Sequence, residues 1–161
     1  MRSKILRLLL LLFLAPYVVR AQDAKGISAP AASAAGRGKT YALIVGVADY
    51  QNLPPLNYAP ADARALADYL LRVQHIPASQ VSCFVNEDAT SVNIFDRLYA
   101  ISDSLKAGDQ FLFYFSGHGD WESKLSDNAL LLLNKAPNKN YLRYPDQFIS
   151  CSTLNDFLRR L

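Results

Sequence analysis

The chain has 161 residues, 51% of them apolar and 19% charged, so it can bury the core of one ordinary domain and does not have a disordered composition. The formal net charge of +3 comes from the first 21 residues, since the remainder holds 13 basic and 14 acidic side chains. Residues 22–161 therefore have no excess of positive charge with which to bind nucleic acid, and we expect no nucleic-acid partner.

Residues 1–21 are predicted to be a signal peptide. They begin with basic side chains, continue through the apolar run Leu8–Leu14, and place Val19 and Ala21 where a signal peptidase reads small residues. The apolar stretch is short for a membrane-spanning helix of about 20 residues. We therefore expect an exported protein, periplasmic or secreted, without membrane contact after cleavage; an uncleaved anchor is the alternative. Residues 22–39, rich in Ala, Gly and Ser, predict a flexible linker.

Strands and helices are predicted to alternate over residues 40–161, which we interpret as one domain. The predicted strands are Tyr41–Val47, Gln80–Val85 and Gln110–Phe115. Helices are predicted over Ala59–Val73 and, with Ser91 or Thr90 as its cap, to about Leu105. Further elements are predicted at Ala129–Leu133, at Phe148–Ile149 and from Leu154 onward, the last capped by Ser152 or Thr153. This alternation predicts an α/β fold: a three-layer sandwich with a mostly parallel sheet and helices on both faces.

The spacing of apolar residues predicts which helix faces are buried. In the first helix the predicted inner face is formed by Ala61, Ala65, Leu66, Tyr69, Leu70 and Val73. In the second helix it is formed by Val92, Phe95, Leu98 and Ile101.

The segment Ser116–Asp120 (SGHGD) directly follows the third predicted strand. Ligands of parallel sheets bind beyond the carboxyl ends of the strands, so this segment stands where a site is expected. A histidine between two glycines at such an end suits a general base, which must reach the substrate from a rigid element. The other of the two histidines, His75, follows a helix, where an imidazolium favourably meets the C-terminus. His118 is therefore the candidate base.

Three stretches, in this order, resemble the caspase-like cysteine peptidases, in particular their metacaspase and bacterial caspase-homologue branch. Tyr41–Val47 resembles the first strand of the p20 catalytic domain in that family. Leu56, Asp62–Ala63 and Leu66 resemble its first helix, and Phe111–Gly119 resembles the strand and loop that carry the catalytic histidine. The resemblance implies a caspase-like fold and a cysteine endopeptidase that cleaves protein or peptide substrates with a Cys–His dyad through an acyl-enzyme.

The resemblance implies roles for four residues. His118 would be the base and the proton donor to the leaving amine, and the backbone N–H of Gly119 would stabilise the oxyanion. Ser116 and Asp62 match substrate-pocket positions, and Asp62 would favour a basic residue before the cleaved bond. Apart from the resemblance, Asp62 is equally well an ordinary acid in the first turn of a helix, and Ser116 a hydroxyl at a strand end.

The nucleophilic cysteine does not stand where the family pattern requires it. In caspases it follows the histidine by about 50 residues, which points past Leu161. Cys151 follows His118 by only 33 residues and lacks the family's acidic residue before it and small-residue turn after it, and Cys83 precedes the histidine. We expect both thiols to be free and structural, the caspase-like domain to be incomplete, and the 161-residue chain to be proteolytically inactive.

Two alternatives from other functional classes remain. The chain could be a non-catalytic, exported binding module that keeps a caspase fold without the cysteine. A nucleotide-binding α/β domain is disfavoured because no glycine-rich loop follows Tyr41–Val47.

A calcium site is the remaining question, because metacaspases often need this ion. Calcium binds clustered oxygen ligands, and the chain offers Asp120, Glu122 and Asp127 after the histidine, with Lys124 among them. So thin a cluster predicts solvated loop acids, and we expect no metal or cofactor. The sequence does not indicate an oligomeric state.

Overall fold

The computed structural model describes residues 38–122 and 129–161. The predicted signal peptide, nearly all of the predicted linker, and Lys124 and Asp127 lie outside the described residues. The strands within them are β1 (Thr40–Gly46), β2 (Val81–Val85), β3 (Gln110–Ser116), β4 (Gly119–Trp121), β5 (Ala129–Leu132) and β6 (Phe148–Ser150). The α-helices are α1 (Ala59–Arg72), α2 (Ser91–Ser104) and α3 (Cys151–Leu158).

The three long strands form a parallel sheet in the order β2–β1–β3. Ala42 of β1 lies opposite Val81 on one side and Leu112 on the other. The four residues Ala42–Val45 are fully inaccessible to solvent, because β1 is central and is covered on both faces. The predicted α/β fold, with a parallel sheet between helices, is therefore confirmed.

The two faces of β1 alternate residue by residue, as in any strand. Ala42 and Ile44 pack against α1, together with Ala63, Ala67 and Leu70. Leu43 and Val45 belong to the larger core on the other face, with Ile94, Leu98 and Ile101 of α2. This larger core continues into β5, β6 and α3 through Leu130, Leu132, Phe148, Ile149 and Leu154.

The predicted inner face of α1 was wrong at most positions. Ala61 and Ala65 are exposed, and Tyr69 and Val73 are 45% and 59% exposed. The helix instead buries its small residues, chiefly Ala59, Ala63 and Ala67, which let it approach the sheet closely. Of the α2 prediction, Leu98 and Ile101 are buried, whereas Ile94 occupies the inner face in place of the exposed Val92.

A second, antiparallel sheet was not predicted. It has the order β4–β5–β6, with Gly119 opposite Leu131 and Leu131 opposite Ile149. β4 was not predicted because Gly119–Trp121 is short and exposed and therefore has no apolar pattern. The last helix also begins earlier than predicted, at Cys151, with Ser150 in the N-cap position.

Across the described segments, none of the helices combines the length and apolarity that crossing a membrane requires.

α1 approaches β1 closely at Gly46, which gives a test of the packing. A Cβ on Gly46 would lie 2.5 Å from the Ala59 carbonyl oxygen and 2.7 Å from the Ala63 Cβ. We expect Gly46→Ala to lower the free energy of unfolding by about 1–3 kcal/mol, because this contact leaves no room for a methyl group. Urea unfolding measures the change. Gly119→Ala is the matched control, since its Cβ would meet one atom at 3.5 Å, and it should stay within about 0.5 kcal/mol of the unmutated chain.

Candidate active site

His118 lies where the chain leaves the parallel sheet and enters the antiparallel one. β3 ends at Ser116, whose carbonyl oxygen accepts a 2.8 Å hydrogen bond from the Val47 N–H. β4 begins at Gly119, so only Gly117 and His118 separate the two strands. The imidazole is therefore held at the carboxyl end of the parallel strands by structure on both sides, where the sequence predicted the base.

The imidazole of His118 makes two contacts with the loop between β1 and α1. Its Nε2 lies 2.8 Å from the carbonyl oxygen of Pro54, and its ring lies 4.7 Å from the Tyr50 ring, centroid to centroid, at an interplanar angle of 52°. A carbonyl oxygen can only accept a hydrogen bond, so Nε2 carries the proton. In the neutral imidazole the lone pair is then on Nδ1, and Nδ1 is the atom that can act as a base.

The hydroxyl of Tyr50 holds the backbone of the same histidine. It accepts a 2.7 Å hydrogen bond from the His118 N–H and donates one of 3.0 Å to the Leu132 carbonyl oxygen. Burial raises the pKa of Tyr50 to about 12, so the hydroxyl stays neutral at physiological pH and can donate. Sequence reasoning missed both Tyr50 and Pro54, because it interpreted the segment after β1 only as an irregular loop.

Side chains from two other strand ends tie this loop down. The Asn86 side-chain oxygen, just after β2, accepts hydrogen bonds from the backbone N–H groups of Ala48 (2.9 Å) and Asp49 (3.3 Å). The Asn134 side chain, just after β5, donates to the Asp49 carbonyl oxygen. Asn86 has a φ of 48°, a left-handed conformation that asparagine tolerates better than most residues. The loop that carries Tyr50 and Pro54 is thus a fixed part of the site.

Gly119 offers a backbone N–H that the sheet does not use. The His118 carbonyl oxygen accepts a 2.9 Å hydrogen bond from the Leu132 N–H, so His118 and Leu132 form a hydrogen-bonded pair. Antiparallel ladders alternate, and the next pair, Gly119 and Leu131, directs its N–H groups away from the partner strand. A ligand beside β4 could accept a hydrogen bond from Gly119.

Ser116 and Asp62 lie at the same edge of the parallel sheet. Ser116 stands opposite Gly46, and the alternation along β3 puts its side chain on the α1 side, as for Tyr114. Asp62 is an exposed residue in the first turn of α1, the turn that packs onto Gly46. The fold therefore brings the two predicted pocket residues to one face and one edge, near the strand end that leads to His118.

A family model described as Caspase domain matches residues 39–159. The chain belongs to the caspase-domain family. The match covers nearly all of the residues that the structure describes, and it supports a cysteine-peptidase type of function with protein as the class of substrate. A comparison with curated protein sequences found no significant match.

Neither cysteine of this caspase domain lies within reach of His118. Ser150 is level with Asp120, because both residues are opposite Leu130. Ser150 is thus two strands across and two residues along from His118, about 12 Å by ordinary strand spacings. Cys151 is the next residue and the first of α3. Both thiols are free, as predicted.

Cys83 is still less suited to serve the histidine. It lies opposite Ile44 in β2, on the far side of β1 from β3, and packs on the α1 side of the sheet. Burial raises the pKa of its thiol, with a smaller opposing effect of Arg64, so the thiolate that a nucleophile needs is disfavoured.

The acids after the histidine are engaged with a tyrosine. Asp120 accepts a 2.5 Å hydrogen bond from the Tyr141 hydroxyl, and Glu122 accepts one of 2.8 Å from the Tyr141 N–H. Burial, and then these carboxylates, raise the pKa of Tyr141. In the part of the chain that the structure describes, no cluster of three metal-ligating side chains is present; Asp127, the third acid of the predicted set, is not among those residues.

One cleft of the described residues is separate from the histidine. It has a volume of about 580 Å³ and lies beside the start of α2, where Glu87, Thr90, Asn134 and Asp146 line it. His118, Ser116 and Asp62 do not contribute to it.

The raised pKa of Tyr50 predicts a loss of stability in alkali. An unfolded tyrosine ionises near pH 10, whereas Tyr50 in the folded chain stays protonated to about pH 12. Its stabilising contribution is therefore complete below pH 10 and is lost as the pH rises from 10 to 12. Urea unfolding across this range should show a smaller loss in Tyr50→Phe than in the unmutated chain. A loss in Tyr50→Phe equal to that of the unmutated chain would contradict the prediction.

Proposed function

We propose that this caspase domain supplies the general base of a cysteine endopeptidase of the metacaspase type, with His118 in that role. The observation that carries the proposal is the hydrogen bond between His118 Nε2 and the Pro54 carbonyl oxygen, which leaves Nδ1 free to take a proton.

In the proposed mechanism, Nδ1 of His118 takes the proton of a cysteine thiol. The thiolate attacks the carbonyl carbon of the substrate, and the oxyanion accepts a hydrogen bond from the Gly119 N–H. His118 then gives the proton to the leaving amine as the C–N bond breaks. A water molecule, deprotonated by the same nitrogen, hydrolyses the acyl-enzyme and restores the thiol.

The thiol comes from neither Cys83 nor Cys151, given their positions across the two sheets. Its expected place, about 50 residues after His118 and hence past Leu161, stays a prediction from the family pattern. The second candidate function is an exported binding module that retains the fold.

Asp62 and Ser116 are proposed to bind the residue before the cleaved bond. The support is their shared edge and face beside Gly46, where a carboxylate would favour a lysine or arginine side chain. Export remains a proposal that rests on residues 1–21 alone.

The first test concerns the cysteines and compares two proteins. The 161-residue chain and the product of the reading frame extended past Leu161 are assayed on peptides that contain arginine or lysine. We expect no cleavage by the former and cleavage by the latter, abolished by His118→Ala and unaffected by Cys83→Ala or Cys151→Ala. Cleavage by the 161-residue chain that disappears in Cys151→Ala would contradict the assignment of the cysteines. An extended protein that binds peptides without cleaving them would establish the binding module.

The second test concerns specificity. In the active protein, Asp62→Asn should lower kcat/KM for arginine and lysine substrates by about 10-fold or more, since loss of an ionic hydrogen bond costs about 1.5–3 kcal/mol. Asp68, a more distant exposed acid of α1, supplies the matched control Asp68→Asn, which should cleave like the unmutated enzyme. Equal effects of the two substitutions would indicate general electrostatic attraction rather than a pocket.

A further inference from the structure

The ladder between β4 and β5 lacks one direct bond at His118. A hydrogen-bonded antiparallel pair exchanges two N–H···O bonds, and the bond from the Leu132 N–H to the His118 carbonyl oxygen is present at 2.9 Å. The reciprocal bond is replaced by the Tyr50 hydroxyl, which accepts from the His118 N–H and donates to the Leu132 carbonyl oxygen. The hydroxyl thus occupies a position that a direct strand–strand bond would otherwise close.

Gly117 leaves room for this insertion. A Cβ on Gly117 would lie 2.6 Å from the Tyr50 hydroxyl oxygen and 2.8 Å from the ring of Phe115. The first glycine of the SGHG segment is therefore required by the close approach of the Tyr50 hydroxyl and the Phe115 ring.

The same tyrosine also restrains the imidazole. Its ring packs against the His118 ring at 4.7 Å, and the loop that carries it supplies the Pro54 carbonyl oxygen that accepts from Nε2. Without the hydroxyl, the His118 N–H could regain a partner by moving toward Leu132 to form a direct bond of about 2.9 Å. Such a movement would change the position of the imidazole relative to the Pro54 carbonyl.

We infer that Tyr50 is a positioning residue, whose hydroxyl spaces β4 from β5 and thereby keeps His118 Nε2 on the Pro54 carbonyl with Nδ1 unprotonated. The inference deepens the proposed function, on which it rests for its catalytic meaning. Which nitrogen of His118 carries the proton in the folded chain can be measured without enzymatic turnover.

The test measures the tautomer of His118 directly. In the ¹⁵N-labelled 161-residue chain, imidazole nitrogen shifts at neutral and mildly alkaline pH distinguish Nε2–H from Nδ1–H. The chain has two histidines, and His75→Asn identifies their signals, because His75 has a φ of 54° that asparagine tolerates. We expect the Nε2–H form for His118 in the unmutated chain and a mixture of both forms in Tyr50→Phe, which keeps the ring and loses only the hydroxyl.

Tyr141→Phe is the matched control. Tyr141 is also buried, and its replacement by Phe removes one hydroxyl hydrogen bond, the one to Asp120. This hydrogen bond does not involve His118. It should keep the Nε2–H form. An unchanged tautomer in Tyr50→Phe, or an equal change in Tyr141→Phe, would overturn the inference.

A second measurement covers the case in which Tyr50→Phe does not fold. In the unmutated chain the Tyr50 hydroxyl proton should exchange slowly enough to give a resonance with a cross-peak to the His118 amide proton. A folded chain without that cross-peak would overturn the inference.

Kinetics of the active protein separate this inference from the proposed function. A displacement of about 1 Å in a catalytic group can cost about 10²-fold in rate, so kcat should fall by that order in Tyr50→Phe with KM little changed. A fall confined to KM would overturn the positioning role. A protein that shows the expected tautomers but never cleaves peptides would remove the proposed function and leave the role of Tyr50 in place.

Discussion

The contact between the Tyr50 hydroxyl and the backbone of His118 joins the parts of this domain that matter for chemistry. The hydroxyl comes from the loop after the central strand, and it bridges His118 and Leu132, the residue pair just before β4 begins. One buried oxygen thereby connects the parallel sheet, the antiparallel sheet and the candidate base. Because a hydroxyl both accepts and donates hydrogen bonds, it can satisfy the His118 N–H and the Leu132 carbonyl oxygen at the same time.

The rest of the site depends on how firmly that loop is held. Side chains that follow β2 and β5, Asn86 and Asn134, bind the backbone of the loop at Ala48 and Asp49. Rigid support of this kind is what a base needs if its reactive nitrogen is to keep one direction. Two glycines leave the space that this arrangement needs: Gly46 lets α1 pack close to β1, and Gly117 leaves room for the Tyr50 hydroxyl. Gly119 presents a backbone N–H in an exposed strand.

Much of the fold was predictable because its signals are local. Apolar runs located β1, β2 and β3, and the glycine-flanked histidine at the end of β3 indicated the site. The buried faces of the helices were predicted less well. In α1 the small alanines pack against the sheet, whereas Tyr69 and Val73 are largely exposed to solvent. Hydrophobic spacing cannot show how closely a helix approaches its sheet.

The sequence by itself determined the alternation of β1, α1, β2, α2 and β3 and the place of the histidine at the end of β3, because these follow from neighbouring residues along the chain. Only the tertiary structure decided which nitrogen of His118 is free. The partners that decide it are the Tyr50 hydroxyl, 68 residues away, and the Pro54 carbonyl oxygen, 64 residues away. Every residue has a backbone carbonyl, so no residue type marks the one that will bind an imidazole. That choice is made when the loop after β1 folds over the end of β3.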